Sequence, residues 1–295
     1  MKYRITHKTL YRYNEAVTLC HNEAHLIPRD SSQQCNLGST LKIEPLPAFQ
    51  QNRLDIYGNT VSYFSIQSPH QTLTVTAISE IEIRSENAPN VSTHSLPWEH
   101  VGNILTNSLD SASLEAREFT LDSPLISVDR ALYAYAQPSF TPNRPLLEAV
   151  RDLMKRIYTE FSYDPHFTTV VTSLAEVLEH RRGVCQDFAH LMIGCLRSMG
   201  LAARYVSGYL ETLPPPGQKK LQGSDASHAW VAVCVPGQGW VDFDPTNNQI
   251  PSNQHITTAW GRDYSDVTPL KGIVFGGSTQ TLTVAVDVER LDANT

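Results

Sequence analysis

The sequence is short of several things at once. Of its 295 residues only five are cysteine, four methionine and four tryptophan, and charged residues make up 18%. Cys20, Cys35, Cys185, Cys195 and Cys234 are odd in number and include no C-x-x-C pair, which argues against a disulfide framework and against a zinc site built on paired cysteines. Free thiols suit a reducing compartment, so a cytoplasmic protein of bacterial type is the expectation. There is no basic run and the net charge is −7, so nucleic acid is not an expected partner. No apolar stretch is long enough to span a bilayer, and no membrane partner is expected. Met1-Lys2-Tyr3-Arg4 leads into alternating residues rather than an uninterrupted apolar run, and so reads as mature protein rather than as a signal peptide. Internal repeats and low-complexity tracts are missing too. Hydrophobic residues are nonetheless 41% of the chain, too many for disorder, and the length suggests two domains.

What is present changes character along the chain. Tyr3, Ile5, His7, Thr9, Tyr11 and Tyr13 alternate with Lys2, Arg4, Thr6, Lys8 and Arg12, the period-2 pattern of a strand with one wet face. Leu41 and Ile43 suggest a further strand. Leu54 and Ile56 before Gly58-Asn59, with Val61 and Tyr63 after it, read as a hairpin, and Leu73, Val75, Ile81 and Ile83 continue the pattern. Residues 1–85 are therefore expected to form a β-sandwich. Residues 86–144 read as a connecting helical or irregular region. In it, Asn87-Ala88-Pro89-Asn90 and Ser95-Leu96-Pro97 look like linker, and Glu115 to Phe119 and Val128 to Ala136 like short helices.

From Pro145 the period lengthens. Leu146, Leu147, Val150, Leu153, Met154, Ile157, Tyr158 and Phe161 trace the stripe of an amphipathic helix. Ser173 with Glu176 three residues on is a capping box, opening a helix to about Arg182 that stops at Gly183. A third helix begins near Cys185, with Phe188, Leu191, Met192, Cys195, Leu196 and Met199 as its buried stripe and Gly200 as its stop. Strands are expected over Ala203–Leu210, His228–Val235 and Trp240–Thr246, with a last one over Thr281–Val288. The segment from Pro214 to Ser227 reads as a mobile loop. The expected fold is thus α+β: the N-terminal β-sandwich, then a domain over residues 145–295 of helices packed on an antiparallel sheet.

Three segments carry chemistry. Cys185 opens a helix just after a glycine, where unpaired backbone amides and the helix dipole stabilise a thiolate and can hold an oxyanion. His228 opens a strand after a polar loop, and Cys–His is the pairing that activates a thiol once a third group orients the imidazole. Asp244 and Asp242, on the strand after the Pro236-Gly237-Gln238-Gly239 hairpin, both compete for that orienting role, because spacing alone does not fix the register. Each residue alone is ordinary: Cys185 extends a buried stripe, His228 is a strand-end histidine, and the aspartates could be solvated strand carboxylates.

In order, G-V-C-Q-D-F-A, H-A-W-V-A-V and G-W-V-D-F-D-P-T, with 43 residues from Cys185 to His228 and 16 from there to Asp244, closely resemble the transglutaminase-like superfamily. The core match runs from about Leu146 to Thr246. The opening strand, Leu26-Ile27-Pro28-Arg29 and Tyr57-Gly58-Asn59 resemble the N-terminal β-domain of bacterial members. The stretches Gly261 to Val267, Pro269 to Gly272 and Gly276-Gly277 resemble their C-terminal end. The resemblance implies a papain-like core with Cys185 as nucleophile and His228 as base, and it favours Asp244 over Asp242 as the orienting carboxylate. It implies acyl transfer on a peptide or protein amide through an acyl-thioester, resolved by water (protease or amidase) or by an amine (transglutaminase-type). It implies no cofactor and no metal, and the calcium dependence of larger animal enzymes does not carry over to so short a chain. Tyr163 is a possible oxyanion donor on the same ground and Gln186 a cleft residue. Trp230 and Trp240 either wall the site or touch substrate, and Asp263 and Tyr264 are rim candidates. Asp187 reads as a cap or salt-bridge residue, His190 as structural, and Cys195 and Cys234 as small buried hydrophobes. Two other readings stay open: a catalytically silent peptide-binding module, and an N-acyltransferase using a thioester donor, for which Arg181-Arg182 is the one nearby phosphate candidate. The sequence does not indicate an oligomeric state.

Overall fold

The computed structural model describes residues 1–84, 95–167, 172–212 and 227–291. The linker expected at Asn87–Asn90 and most of the loop expected from Pro214 lie outside the described residues.

The chain opens with β1 (Lys2–Ile27), β2 (Gln34–Glu44), β3 (Phe49–Leu54), β4 (Thr60–Ile66) and β5 (His70–Ile83). Alternation builds β1 as expected: Tyr3, Ile5, His7 and Thr9 are buried while Lys2, Arg4 and Lys8 are exposed. The β3–β4 hairpin pairs Leu54 with Thr60, and Gly58 takes the positive φ of 73° that its turn needs. The helical part follows as α1 (Trp98–Asn107), α2 (Ser111–Arg117), α3 (Arg130–Ala136) and α4 (Leu146–Glu160). Helix α1 was not expected from sequence. It buries only Val101 and Leu105 and has no side-chain cap, so its pattern is a single i, i+4 pair. Next come β6 (Ser162–Tyr163), α5 (Leu174–His180), β7 (Arg182–Gly183) and α6 (Cys185–Ser198). The Ser173–Glu176 capping box is present, and α5 ends two residues earlier than expected, on Arg181 in the left-handed conformation. The chain closes with β8 (Ala203–Leu210), β9 (Ser227–Val235), β10 (Gly239–Phe243), β11 (His255–Gly261), β12 (Leu270–Gly276) and β13 (Gln280–Leu291).

Two sheets organise these elements. The first runs β2-β5-β1-β4-β3, with β12 and β13 pairing β1 as well. The second is antiparallel, in the order β10-β9-β8-β11. The last strand, read from sequence as part of the 145–295 domain, and β12, which was not expected from sequence, therefore return to the first sheet: Tyr3 pairs with Arg290 and Cys20 with Val274. Alternation marks a strand but not the sheet that takes it. The two sheets meet where Tyr209 and Ile256 of the second join Tyr3, Ile5, Ile81 and Val288 of the first in one apolar cluster.

Helix α6 lies across one face of the second sheet and is buried nearly all round. Beyond the expected stripe, Ala189, His190, Ile193, Gly194 and Arg197 are buried as well. Gly194 lets α3 and α5 approach, since a Cβ there would stand 3.0 Å from Leu132 and 3.2 Å from Leu174. Phe161, Phe188, Leu191, Val231 and Phe243 fill the core between helices and sheet. Burial of this kind contributes about 1.5–3 kcal/mol per large apolar side chain, and it fixes the N-terminus of α6 against the strand ends.

Candidate active site

Cys185 is the first residue of α6 and half-buried. Its position is set locally. Asp187, two residues on, accepts the backbone N–H of Val184 at 2.8 Å and so caps the helix, as expected of it. Gly183 must be glycine: a Cβ there would come within 2.8 Å of the Asp187 Cβ. The short parallel pair β6–β7 then brings Tyr163 alongside Gly183. Tyr163 is 58% exposed, and its phenol is raised in pKa by burial of part of the ring and by the nearby Cys185 sulfur.

His228, on the second residue of β9, faces both partners. Its Nε2 donates to Asp244 Oδ2 at 2.8 Å, and the Cys185 side chain is close enough to help raise the pKa of the same ring. The β9–β10 register pairs Trp240 with Cys234 and Asp242 with Ala232. Continued by one step, it sets Asp244 opposite Trp230, diagonal to His228. Strand β10 stops at Phe243, so Asp244 turns out of the ladder and bridges to Gln249 instead. Asp242 takes the alternative place: its Oδ2 accepts the Trp230 indole N–H at 3.1 Å.

Asp244 is fully buried and heavily hydrogen-bonded. Its Oδ2 accepts from His228, from His255 Nε2 at 3.1 Å and from Asn247 Nδ2 at 2.8 Å. Its Oδ1 accepts the backbone N–H groups of Thr246 and Asn247. Burial would raise the pKa of this carboxyl, but the bonds from His228 and His255 hold it well below the usual carboxylate range. Burial likewise opposes a charge on His228, yet bonds to Asp244 and Cys185 push its pKa up to about 10. His255 and Asn247 were missed from sequence. His255 sits in a strand two places from β9, and nothing short of the sheet order brings it to Asp244.

The remaining expected site residues divide. Gln186 is half-buried beside Cys185 on the first turn of α6. Trp230 is fully buried and packs edge-on against His255 at 5.2 Å, so it supports the site rather than touching a ligand. Asp263 is not a rim residue: it is buried, caps the turn at Ser265 and accepts the Leu125 N–H. Tyr264 is half-buried, donates its backbone N–H to His190 Nε2 at 3.1 Å and stands edge-on to Tyr205. His190 is structural as expected, and burial pushes its pKa down to about 4. Tyr205, unmarked by sequence, is buried, and its burial raises its phenol well above the ordinary range. Arg181 and Arg182 are both engaged, Arg181 with Glu160 at 3.2 Å and stacked on Tyr135, Arg182 with Asp164 at 3.8 Å.

One donor atom each from His228, Asp244 and His255 lie within 4.8 Å of one another, a nitrogen and carboxylate set of the kind that binds zinc. Here the shared oxygen accepts an N–H from each ring, and a metal would have to displace both protons.

Comparison with known sequences agrees with this layout. Residues 3–82 match the bacterial transglutaminase-like N-terminal region, and residues 133–245 match the transglutaminase-like superfamily core. An uncharacterized protein of Mycobacterium tuberculosis is 45% identical over 296 residues, covering 97% of this chain and 92% of its own. The chain belongs to the transglutaminase-like superfamily. A second mycobacterial relative, from Mycobacterium leprae, is 34% identical and covers 98% of both chains. A Pseudomonas aeruginosa protein-glutamine gamma-glutamyltransferase is 38% identical over 76 residues only, 25% of this chain and 11% of its own. Among solved structures, a Cytophaga hutchinsonii protein named as a candidate cysteine protease superposes with a TM-score of 0.77 at 20% identity, covering 100% of this chain and 92% of its own. That likeness shows that the two share an α+β fold. No helix among the described residues is long and apolar enough to cross a membrane.

Proposed function

We propose that this transglutaminase-like protein is a cysteine acyl-transfer enzyme acting on peptide or protein amides through Cys185, His228 and Asp244. One observation carries the reading: a single imidazole, hydrogen-bonded at 2.8 Å to a buried carboxylate, is also electrostatically coupled to a helix-terminal thiol. Asp244 keeps Nε2 protonated, so Nδ1 exchanges the proton with sulfur. The Cys185 sulfur attacks the carbonyl carbon, and the oxyanion meets the unpaired Cys185 N–H at the start of α6, with the exposed Tyr163 hydroxyl as a second donor. Collapse breaks the C–N bond, and His228 gives its proton to the leaving amine. Water or an amine then attacks the thioester while His228 takes its proton, and the thiol is restored.

Intact-mass analysis after rapid mixing with an N-blocked glutaminyl dipeptide tests this. The expected result is an acyl adduct on Cys185, lost in Cys185→Ala and discharged faster by hydroxylamine if an amine is the natural acceptor. No adduct from amide or activated-ester donors, with Cys185 alkylated no faster than Cys35, would leave the fold as a binding module.

A further inference from the structure

The sheet face away from α6 carries a second polar centre. Arg204 on β8 pairs with Ala232 on β9, four residues along from the Gly208–His228 pair. It therefore lies about 13 Å from the thiol–imidazole site. Its guanidinium carbon is 3.7 Å from the Trp260 ring centre and 4.3 Å from that of Trp240, so the cation is sandwiched between two indoles. Arg204 is only 9% exposed. Its Nε is buried with no acceptor, and no hydrogen bond holds the guanidinium among the described residues, although the Asp242 carboxylate is near enough to act on it by charge.

Arg197, in the same core, shows what a structural arginine looks like. It is 3% exposed and donates to Phe119 O, Ser123 Oγ, Ala203 O and Arg262 O. A buried arginine left without acceptors is costly and uncommon. Arg204 also opens onto space. It lines a cavity of about 670 Å³ with Tyr57, Phe119, Trp240 and Trp260, and a second of about 560 Å³ with Asp242 and Gln238. With both guanidinium faces covered, only the N–H edge is free, and an edge between two flat rings suits a flat acceptor. Asp110, Glu115 and Glu118 on the wall of the larger cavity disfavour a polyanion there.

We propose that this slot binds the carboxylate of a small ligand, which meets the Arg204 edge between Trp240 and Trp260. The site is separate from the acyl-transfer centre and does not depend on that reading. The carboxylate could come from a free organic acid or from the C-terminus of a short peptide, and the aromatic walls suit an apolar body in either case.

The test is isothermal titration of the full chain, carrying Cys185→Ala so that turnover cannot contribute, at low ionic strength. The probes are sodium benzoate, the dipeptide Ala-Phe and its C-terminal amide. Saturable binding of benzoate or of Ala-Phe, at least tenfold weakened for the amide and in Arg204→Met, is the expected result. Benzoate alone would identify a free acid, and Ala-Phe alone a peptide terminus. If Arg204→Met fails to fold, the acid–amide contrast still decides with Arg204 intact. Equal binding of acid and amide, unchanged binding in Arg204→Met, or no saturable binding of either carboxylate up to 20 mM would overturn the proposal and leave the stack as packing.

Discussion

Asp244, just past the end of β10, and Arg204 on β8 are both buried charges, and they are treated in opposite ways. Asp244 is fully buried and accepts from two imidazoles, one side-chain amide and two backbone amides. Arg204 is nearly as buried and is held by ring faces and by the charge of Asp242, without a hydrogen-bond acceptor among the described residues. Saturation makes a carboxylate a fixed anion: its pKa falls, its geometry is locked, and it can orient a histidine through a reaction cycle. An unsatisfied cation keeps its hydrogen-bonding capacity for something that arrives later. The difference separates a group built to position from a group left able to bind.

The largest effect should come from breaking the saturated side. Asp244→Asn keeps the shape but removes the charge, and presents an N–H₂ where His228 needs an acceptor. A fall in kcat/KM of about 10³–10⁴-fold is expected, with the fold retained by circular dichroism. A drop below tenfold would mean that His228 is oriented by something else. The second effect is on stability. His228 has a folded pKa of about 10 against an ordinary 6.5. Its contribution is whole below about 6.5 and is lost as the pH climbs through about 10. The Tm advantage of the native protein over His228→Gln should therefore shrink steadily across that window. A constant difference would show that the imidazole is neutral in the folded state at neutral pH.

These two charges were not equally legible in the sequence. Local signals carried far: Ser173 with Glu176 marked one helix start, Gly183 before Cys185 another, and both lie where they were expected. For the His228–Asp244 partnership, spacing alone left a choice between two aspartates of the same parity, and only the family resemblance favoured Asp244. What decides it is the end of β10 at Phe243, where Asp244 leaves the ladder while Asp242 stays under Trp230. Long-range pairing left no trace. Alternation in β13 is the same whether it joins the second sheet or, as it does, pairs with β1 at the other end of the chain. Arg204 carried no mark in the sequence, because its two tryptophans come from β10 and β11 and meet it only once the sheet is assembled.

His255 refines the saturated side. It shares Asp244 Oδ2 with His228 and packs its ring against Trp230. His255→Phe keeps the ring and removes the donor. With one bond fewer the carboxylate is more basic and grips the His228 proton harder, so kcat/KM should fall by about tenfold. The pH–rate profile should move upward at the same time. A purely structural ring would leave that profile in place.

The smallest effect is expected where a buried charge is removed from the unsatisfied side. Arg204→Met gives up two cation–π contacts, each worth roughly 0.5–2 kcal/mol. It also removes a desolvated cation that no hydrogen-bond acceptor compensates, which is a gain, and takes from the buried Asp242 the charge that favours its ionised form, which is a loss. The gain and the losses nearly cancel, so Tm should stay within a few degrees of the native value or rise. Acyl transfer at Cys185 should be unchanged, since Arg204 touches none of its partners. A large loss of stability would instead make the Trp240–Arg204–Trp260 stack the joint that holds β10 and β11 together across β8. Arg204 would then belong with Arg197 as a structural arginine, satisfied by ring faces rather than by oxygen atoms.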